Sequence, residues 1–294
     1  RLLSLVDCLL RLLARRDARL CWLACLLATI PTNRGPLRAM QHAVFLNETA
    51  RVPEPRFIPQ THEQYLSAVY TLWNLLDHTM YQHRSKRPVY PYGYMRLVQL
   101  KAYSRLVWRN PTARTYCETG VNGGHGTAAM LLANPNLVAH SFDPGEQPYS
   151  DEVFKILSVY FGPRFILHRG SSHVHLPKSA ADLAGKCDVL LVDGDHTASG
   201  AHQDIVDFKA LAACRAWVLL DDTSGSRVRG SENSGPGRAL ERAAAGGLLE
   251  IIERHDYRNN SVKENPCLRH KNGGAPVCFA PWGWALARYR GCET

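Results

Sequence analysis

Two short segments hold carboxylates at a spacing that can do chemistry: Val192-Asp193-Gly194-Asp195-His196 and Leu220-Asp221-Asp222-Thr223. Each follows an apolar run that reads as a strand, so each acid pair stands where a strand ends. If the two strands are parallel neighbours, the four carboxylates meet at the C-terminal edge of the sheet, where sites in open α/β sheets form. Carboxylates crowded together and withdrawn from water repel one another, and protons or a cation must offset that repulsion. Three oxygen ligands with open positions suit a hard divalent ion such as Mg²⁺. Asp is also a favoured N-cap, and one of the four acids is expected to cap the helix that follows it. His196, with an ordinary pKa of about 6.5, is a competent base at neutral pH. Asp195 is the other candidate for taking a substrate proton.

A second constellation is Glu118-Thr119-Gly120-Val121-Asn122-Gly123-Gly124-His125-Gly126, between the strand-like run Arg114–Glu118 and the helix-forming Thr127–Leu132. Glycines let a backbone turn sharply and approach a ligand closely, and the following helix offers free N–H groups and a positive dipole end. Two cofactor classes compete for this loop. Gly124-His125-Gly126-Thr127-Ala128-Ala129 satisfies the dinucleotide pattern GxGxxA, but that pattern needs its first glycine at the strand end, and Gly124 lies beyond it. An NAD-dependent oxidoreductase or epimerase is therefore the alternative reading, weakened further because no Tyr-x-x-x-Lys pair occurs.

Glu118-x-Gly120-x-x-x-Gly124-x-Gly126 matches motif I of the class I S-adenosylmethionine-dependent methyltransferases, which the chain resembles from about residue 112 to 290. The resemblance implies that Glu118, Gly120, Gly124 and Gly126 serve the cofactor. It also implies that Asp143, in Ser141-Phe142-Asp143-Pro144, accepts hydrogen bonds from both ribose hydroxyls. Ser172, in Gly170-Ser171-Ser172, would lie near the adenine; Ser171 stands where relatives often carry an acid. The carboxylate pattern is similar to that of the metal-dependent O-methyltransferases, including the catechol, caffeoyl-coenzyme A and bacterial sugar-modifying enzymes. By that resemblance Asp193, Asp221 and Asp222 are metal ligands, and Asp195 or His196 is the base, His196 standing where the catechol-type motif has Lys. Asp222 replaces the Asn of the plant-type enzymes and leans towards the sugar-modifying group. The Asn/Asp-Pro-Pro-aromatic motif of nucleic-acid amine methylation is absent, which favours an oxygen acceptor. The function implied is metal-assisted O-methylation of a small-molecule or sugar hydroxyl. A catalytically inactive binding module is the non-enzymatic alternative, opposed by the intact acids.

These residues need a scaffold. Seven strand-like runs, Arg114–Glu118, Leu137–Phe142, Arg164–His168, Val189–Val192, Trp217–Leu220, Leu248–Arg254 and Trp284–Tyr289, alternate with segments long enough for crossover helices, such as Gly126–Leu132, Asp151–Tyr160, Ala201–Ala213 and Gly237–Ala245. That alternation predicts a parallel sheet covered on both faces. The last two runs lack a helix between them and predict a closing antiparallel pair. The fold class expected is α/β, a Rossmann-like class I methyltransferase fold with a mostly parallel seven-stranded sheet whose last strand is antiparallel. Helical spacing over residues 61–111 predicts an N-terminal cap ahead of a 112–294 cofactor domain. Residues 31–60 hold five prolines and read as a linker closing a 1–60 targeting segment. Ser224–Gly237 reads as a lid or a solvated loop.

Composition bounds the partners. With 45% hydrophobic and 21% charged residues, the chain is neither disordered nor a coiled coil. Its net charge of +9 is uneven: residues 1–60 carry 9 basic against 4 acidic residues, and 111–294 carry 19 against 20. The motif-bearing part is thus close to neutral, which argues against a nucleic-acid substrate. The chain opens on Arg1 rather than Met, and residues before it are expected. Arg11, Arg15, Arg16 and Arg19 precede the apolar run Leu20–Ile30, closed by Pro31. This fits a signal peptide or short membrane anchor, and also a packed amphipathic helix or a transit peptide. The sequons at Asn47 and Asn259, and a Cys267/Cys278 pair bracketing a Gly/Pro-rich loop, are compatible with a secretory compartment. Cys117, Cys187 and Cys214 read as small core residues. His168, His173 and His175 read as surface or core histidines.

Overall fold

The computed structural model describes residues 59–83, 95–108, 110–223, 235–257 and 282–291. The apolar run Leu20–Ile30, the Pro-rich linker, both sequons, Cys267, Cys278 and most of Ser224–Gly237 lie outside them. The described residues all fall within the unit Glu54–Thr294. No helix among them is long and apolar enough to cross a membrane.

Two helices come first, α1 (His62–Gln82) and α2 (Leu97–Trp108). α1 starts where the sequence signals a cap: the Thr61 hydroxyl accepts from the Gln64 N–H at 3.2 Å. The αβ alternation follows as β1 (Thr115–Thr119), α3 (His125–Ala133), β2 (Val138–Asp143), α4 (Ser150–Phe161), β3 (Phe165–Arg169), α5 (Ser172–Leu183), β4 (Cys187–Val192), α6 (Ala198–Leu211), β5 (Ala212–Leu220), α7 (Gly235–Ala245), β6 (Leu249–Tyr257) and β7 (Trp282–Tyr289). All seven expected strands are present. Their order is β3-β2-β1-β4-β5-β7-β6. Strands β1 to β5 run parallel, and β7 inserts antiparallel between β5 and β6.

Both faces are buried because side chains alternate along each strand. Tyr116, Val189, Leu191 and Leu219 face a core shared with α1 to α4. Cys117, Leu190, Val192, Val218 and Leu220 face the other, beneath α5, α6 and α7. The cap is thus built into the first core: Tyr65, Trp73, Leu76 and Tyr103 pack with Met130 and Leu157.

One helix escapes the sequence pattern, and the cysteine readings need amendment. The pattern does not announce α5, since it opens on Ser, His, Val and His, carries Pro177 inside, and buries only Leu176, Ser179 and Leu183. Cys117 and Cys187 are buried core residues, but they form a disulfide between neighbouring strands. Cys214 is exposed rather than in the core.

Candidate active site

The C-terminal ends of β1, β2 and β4 and the β3–α5 turn enclose a cleft of about 420 Å³, lined by Gly120, Asp143, Ser172, Asp193, Asp195 and His196 among others. This is the size range of small-molecule and cofactor sites, about 300–1,000 Å³. Six residues predicted from the sequence therefore converge on one cavity. Gly120 makes the crossing of β1 and β4 possible: its φ is +82°, and a Cβ there would lie 2.1 Å from the Asp193 carbonyl oxygen. Gly124, at φ +78°, caps α3 against Leu157 and Val153. Gly126 has ordinary surroundings, its nearest prospective neighbour 3.7 Å away, so neither backbone conformation nor crowding demands glycine there.

The two motif acids are placed differently from one another. Glu118 is 1% exposed and does not line the cleft. Its carboxylate accepts from Ser141 and Thr127 hydroxyls, each at 2.5 Å, and from Tyr116 at 2.8 Å. Burial pushes its pKa up to about 7 against the pull of those donors. It ties β1 to β2 and α3 and so shapes the loop rather than touching the ligand space. Asp143 does face the cleft, but Oδ2 accepts from the N–H groups of Val121 and Asn122 at 2.8 and 2.9 Å, and Oδ1 from Gly145 at 2.7 Å. With two acceptor positions per oxygen, one remains on Oδ1. Asp143 can meet one hydroxyl directly rather than grip two.

The carboxylate cluster forms, with one exchange. Asp193, His196 and Asp222 offer ligand atoms all within 4.8 Å of one another. His196 Nε2 lies 3.4 Å from Asp193 Oδ1, and Nδ1 lies 3.5 Å from Asp222 Oδ2. Asp221, predicted as a ligand, is not among these three; its Oδ1 is engaged by Gln99 Nε2 at 2.7 Å and by the Asp222 N–H at 2.8 Å. Burial, then the charges of Asp193 and Asp222, hold the Asp221 pKa well above the usual carboxylate range. Burial likewise raises Asp193. His196 is pushed up to about 9, chiefly by its hydrogen bond with Asp193, so its imidazolium offsets the two acids when nothing else does. The expected capping role of an acid falls instead to Thr197, whose hydroxyl accepts from the Gly200 N–H at 3.0 Å at the start of α6; Asp195 Oδ1 accepts from the Thr197 N–H at 2.8 Å just ahead of it. Its Oδ2 lies 3.8 Å from His173 Nε2.

Several site residues escape the sequence. Asp204, fully buried in α6, accepts from the Ser172 hydroxyl at 2.7 Å and stands 3.3 Å from His173 Nδ1, bracing that wall of the cleft. Asp204 sits at a core position of an amphipathic helix, where a charged residue is itself unusual; that was the available signal. Gln99 reaches Asp221 from α2, a contact that no local pattern marks.

Residues 117–223 match a family model described as a methyltransferase domain. A crystal structure of an O-methyltransferase from Bacillus cereus in complex with S-adenosylhomocysteine is similar with a TM-score of 0.54, covering 80% of this chain and 94% of that one at 13% identity. The O-methyltransferase TomG from Streptomyces achromogenes, involved in tomaymycin synthesis and solved with S-adenosylmethionine, also has a TM-score of 0.54, covering 80% and 93% at 15% identity. No curated protein matches this sequence. The match spans β1 to the end of β5, the stretch that carries the glycine loop and both acid pairs, and the chain has the fold of the class I S-adenosylmethionine-dependent methyltransferases, to which these two structures are similar.

Proposed function

We propose that the protein transfers the methyl group of S-adenosylmethionine to a hydroxyl of a small molecule or glycan, with a divalent cation such as Mg²⁺ at the acid cluster. One observation carries this reading: Asp193 and His196 line the same cleft as Gly120 and Asp143, with Asp222 beside them. The donor set suits a divalent ion, since two carboxylates and an imidazole lie close enough to share one. A bound ion would lower the pKa of an acceptor hydroxyl that coordinates it. The protein's part is to align the acceptor with the sulfonium methyl and to take its proton. Asp195 is the base this arrangement favours, because the His196 ring would be committed to the ion beside Asp193 and Asp222. A secretory or endomembrane location belongs to the same proposal, supported by the Cys117–Cys187 disulfide, which suits an oxidising compartment.

Calorimetric titration tests the cofactor. S-adenosylmethionine is expected to bind and NAD not to, and Asp143→Ala should weaken binding by about 1.5–3 kcal/mol, the scale of hydrogen bonds to a charged group. NAD binding, or full affinity in a folded Asp143→Ala variant, overturns it. With a panel of catechol and sugar acceptors, a chelator should abolish transfer while S-adenosylhomocysteine still binds.

A further inference from the structure

Helix α2 enters the site from the cap. Gln99 is fully buried, and both ends of its amide are used. Oε1 accepts from the Arg96 N–H at 2.9 Å, and Nε2 donates to Asp221 Oδ1 at 2.7 Å. The first bond is a capping contact, a third-position side chain reaching back to the residue before the helix. A glutamate would make it equally well. Only an amide also supplies a donor for a carboxylate, so capping does not account for Gln99.

The second bond spans 122 positions in sequence. Its acceptor, Asp221 Oδ1, also takes the backbone N–H of Asp222. Asp222 has φ +50°, the left-handed conformation that a non-glycine residue adopts at a cost. In that conformation its carboxylate returns to Asp193 and His196. One turn along α2, Tyr103 is 1% exposed, and its hydroxyl has no hydrogen-bond partner. The charges bearing on it are those of Asp221, Asp193 and Asp222.

We propose that Gln99 is a positioning residue of the divalent-ion site: through Asp221 Oδ1 it holds Asp222 in the left-handed turn that presents its carboxylate to the ion. The inference rests on the ion reading above. It makes α2 a working part of the centre rather than only a cover on the core, and it gives Asp221 a supporting place instead of a direct one.

The test is calorimetric titration of Mn²⁺ into the full chain loaded with S-adenosylhomocysteine. Gln99→Met and Asp221→Ala are each expected to weaken Mn²⁺ binding by about 10–100-fold, the usual effect of losing a partner behind a metal ligand. S-adenosylhomocysteine affinity should stay within about twofold, because neither residue lines the cleft. Asp221→Asn, which keeps an oxygen for both bonds, should hold Mn²⁺ nearly as well as the parent protein. Unchanged Mn²⁺ affinity in Gln99→Met overturns the proposal. So does a loss in Asp221→Asn equal to that in Asp221→Ala, which would make Asp221 a direct ligand. A parent protein that takes up no Mn²⁺, with Asp193→Ala equally silent, rejects the ion reading itself and this inference with it.

Discussion

Among the loop glycines, identical residue types carry unequal demands. Gly120 is required twice over, by its left-handed φ and by the Asp193 carbonyl that a Cβ would strike. Gly126 is required by neither. Gly120→Ala is therefore expected to cost more than about 3 kcal/mol, combining backbone strain with a clash that cannot relax, and to abolish S-adenosylhomocysteine binding. Gly126→Ala should be neutral or stabilising by up to about 1 kcal/mol, since alanine is the better helix former. Urea unfolding of the two variants, with calorimetry of the survivors, checks both; equal losses would mean the loop is set by something other than local geometry. Glu118 carries a related lesson. Its strand alternation puts it on the face of Tyr116, whose hydroxyl donates to it, rather than on that of Thr119, which lines the cleft.

Helix α1 is fastened to α3 beside the glycine loop, not merely laid over the core. Trp73 Nε1 donates to the His125 carbonyl at 3.1 Å, Tyr65 donates to the Ala129 carbonyl at 3.2 Å, and Asp77 meets His125 Nε2 at 3.0 Å. All three bonds end on α3, whose first turn follows the glycines. Trp73→Ala is expected to cost about 3–5 kcal/mol, the scale for removing a buried aromatic. It should also weaken cofactor binding, because the N-terminus of α3 loses its support. Ser67→Ala, on the exposed side of the same helix, should stay within about 0.5 kcal/mol. Thermal unfolding and S-adenosylhomocysteine titration of the pair separate docking from mere helix content.

At the scale of the whole molecule, the Cys117–Cys187 disulfide joins β1 to β4, the two strands that carry the glycine loop and the first acids. It closes a loop of 70 residues, and a disulfide typically contributes about 2–4 kcal/mol, chiefly by restricting the unfolded chain. Cys187→Ser, or reduction of the parent protein, should lower unfolding stability by that amount. Alkylation of the denatured, unreduced protein should leave Cys117 and Cys187 unlabelled. Labelling of both in protein isolated from its own cells would remove the disulfide and the support it lends to a secretory location.

Sequence alone determined the succession of strands and of the helices other than α5, the glycine loop and the standing of the acids at strand ends, because side-chain alternation, helical spacing and turn preference are set by near neighbours. It also carried the methyltransferase resemblance, since motif I is one continuous segment. Tertiary structure decided which acids share a cluster, that His196 joins them in place of Asp221, and that Gln99 and Asp204 brace the site. It also decided that Cys117 and Cys187 are bonded. These partners are separated by tens of positions, and only the sheet order and the docking of α2 bring them together. A residue's type and its near neighbours do not record which distant group will come within hydrogen-bonding reach; the packing of the two cores does.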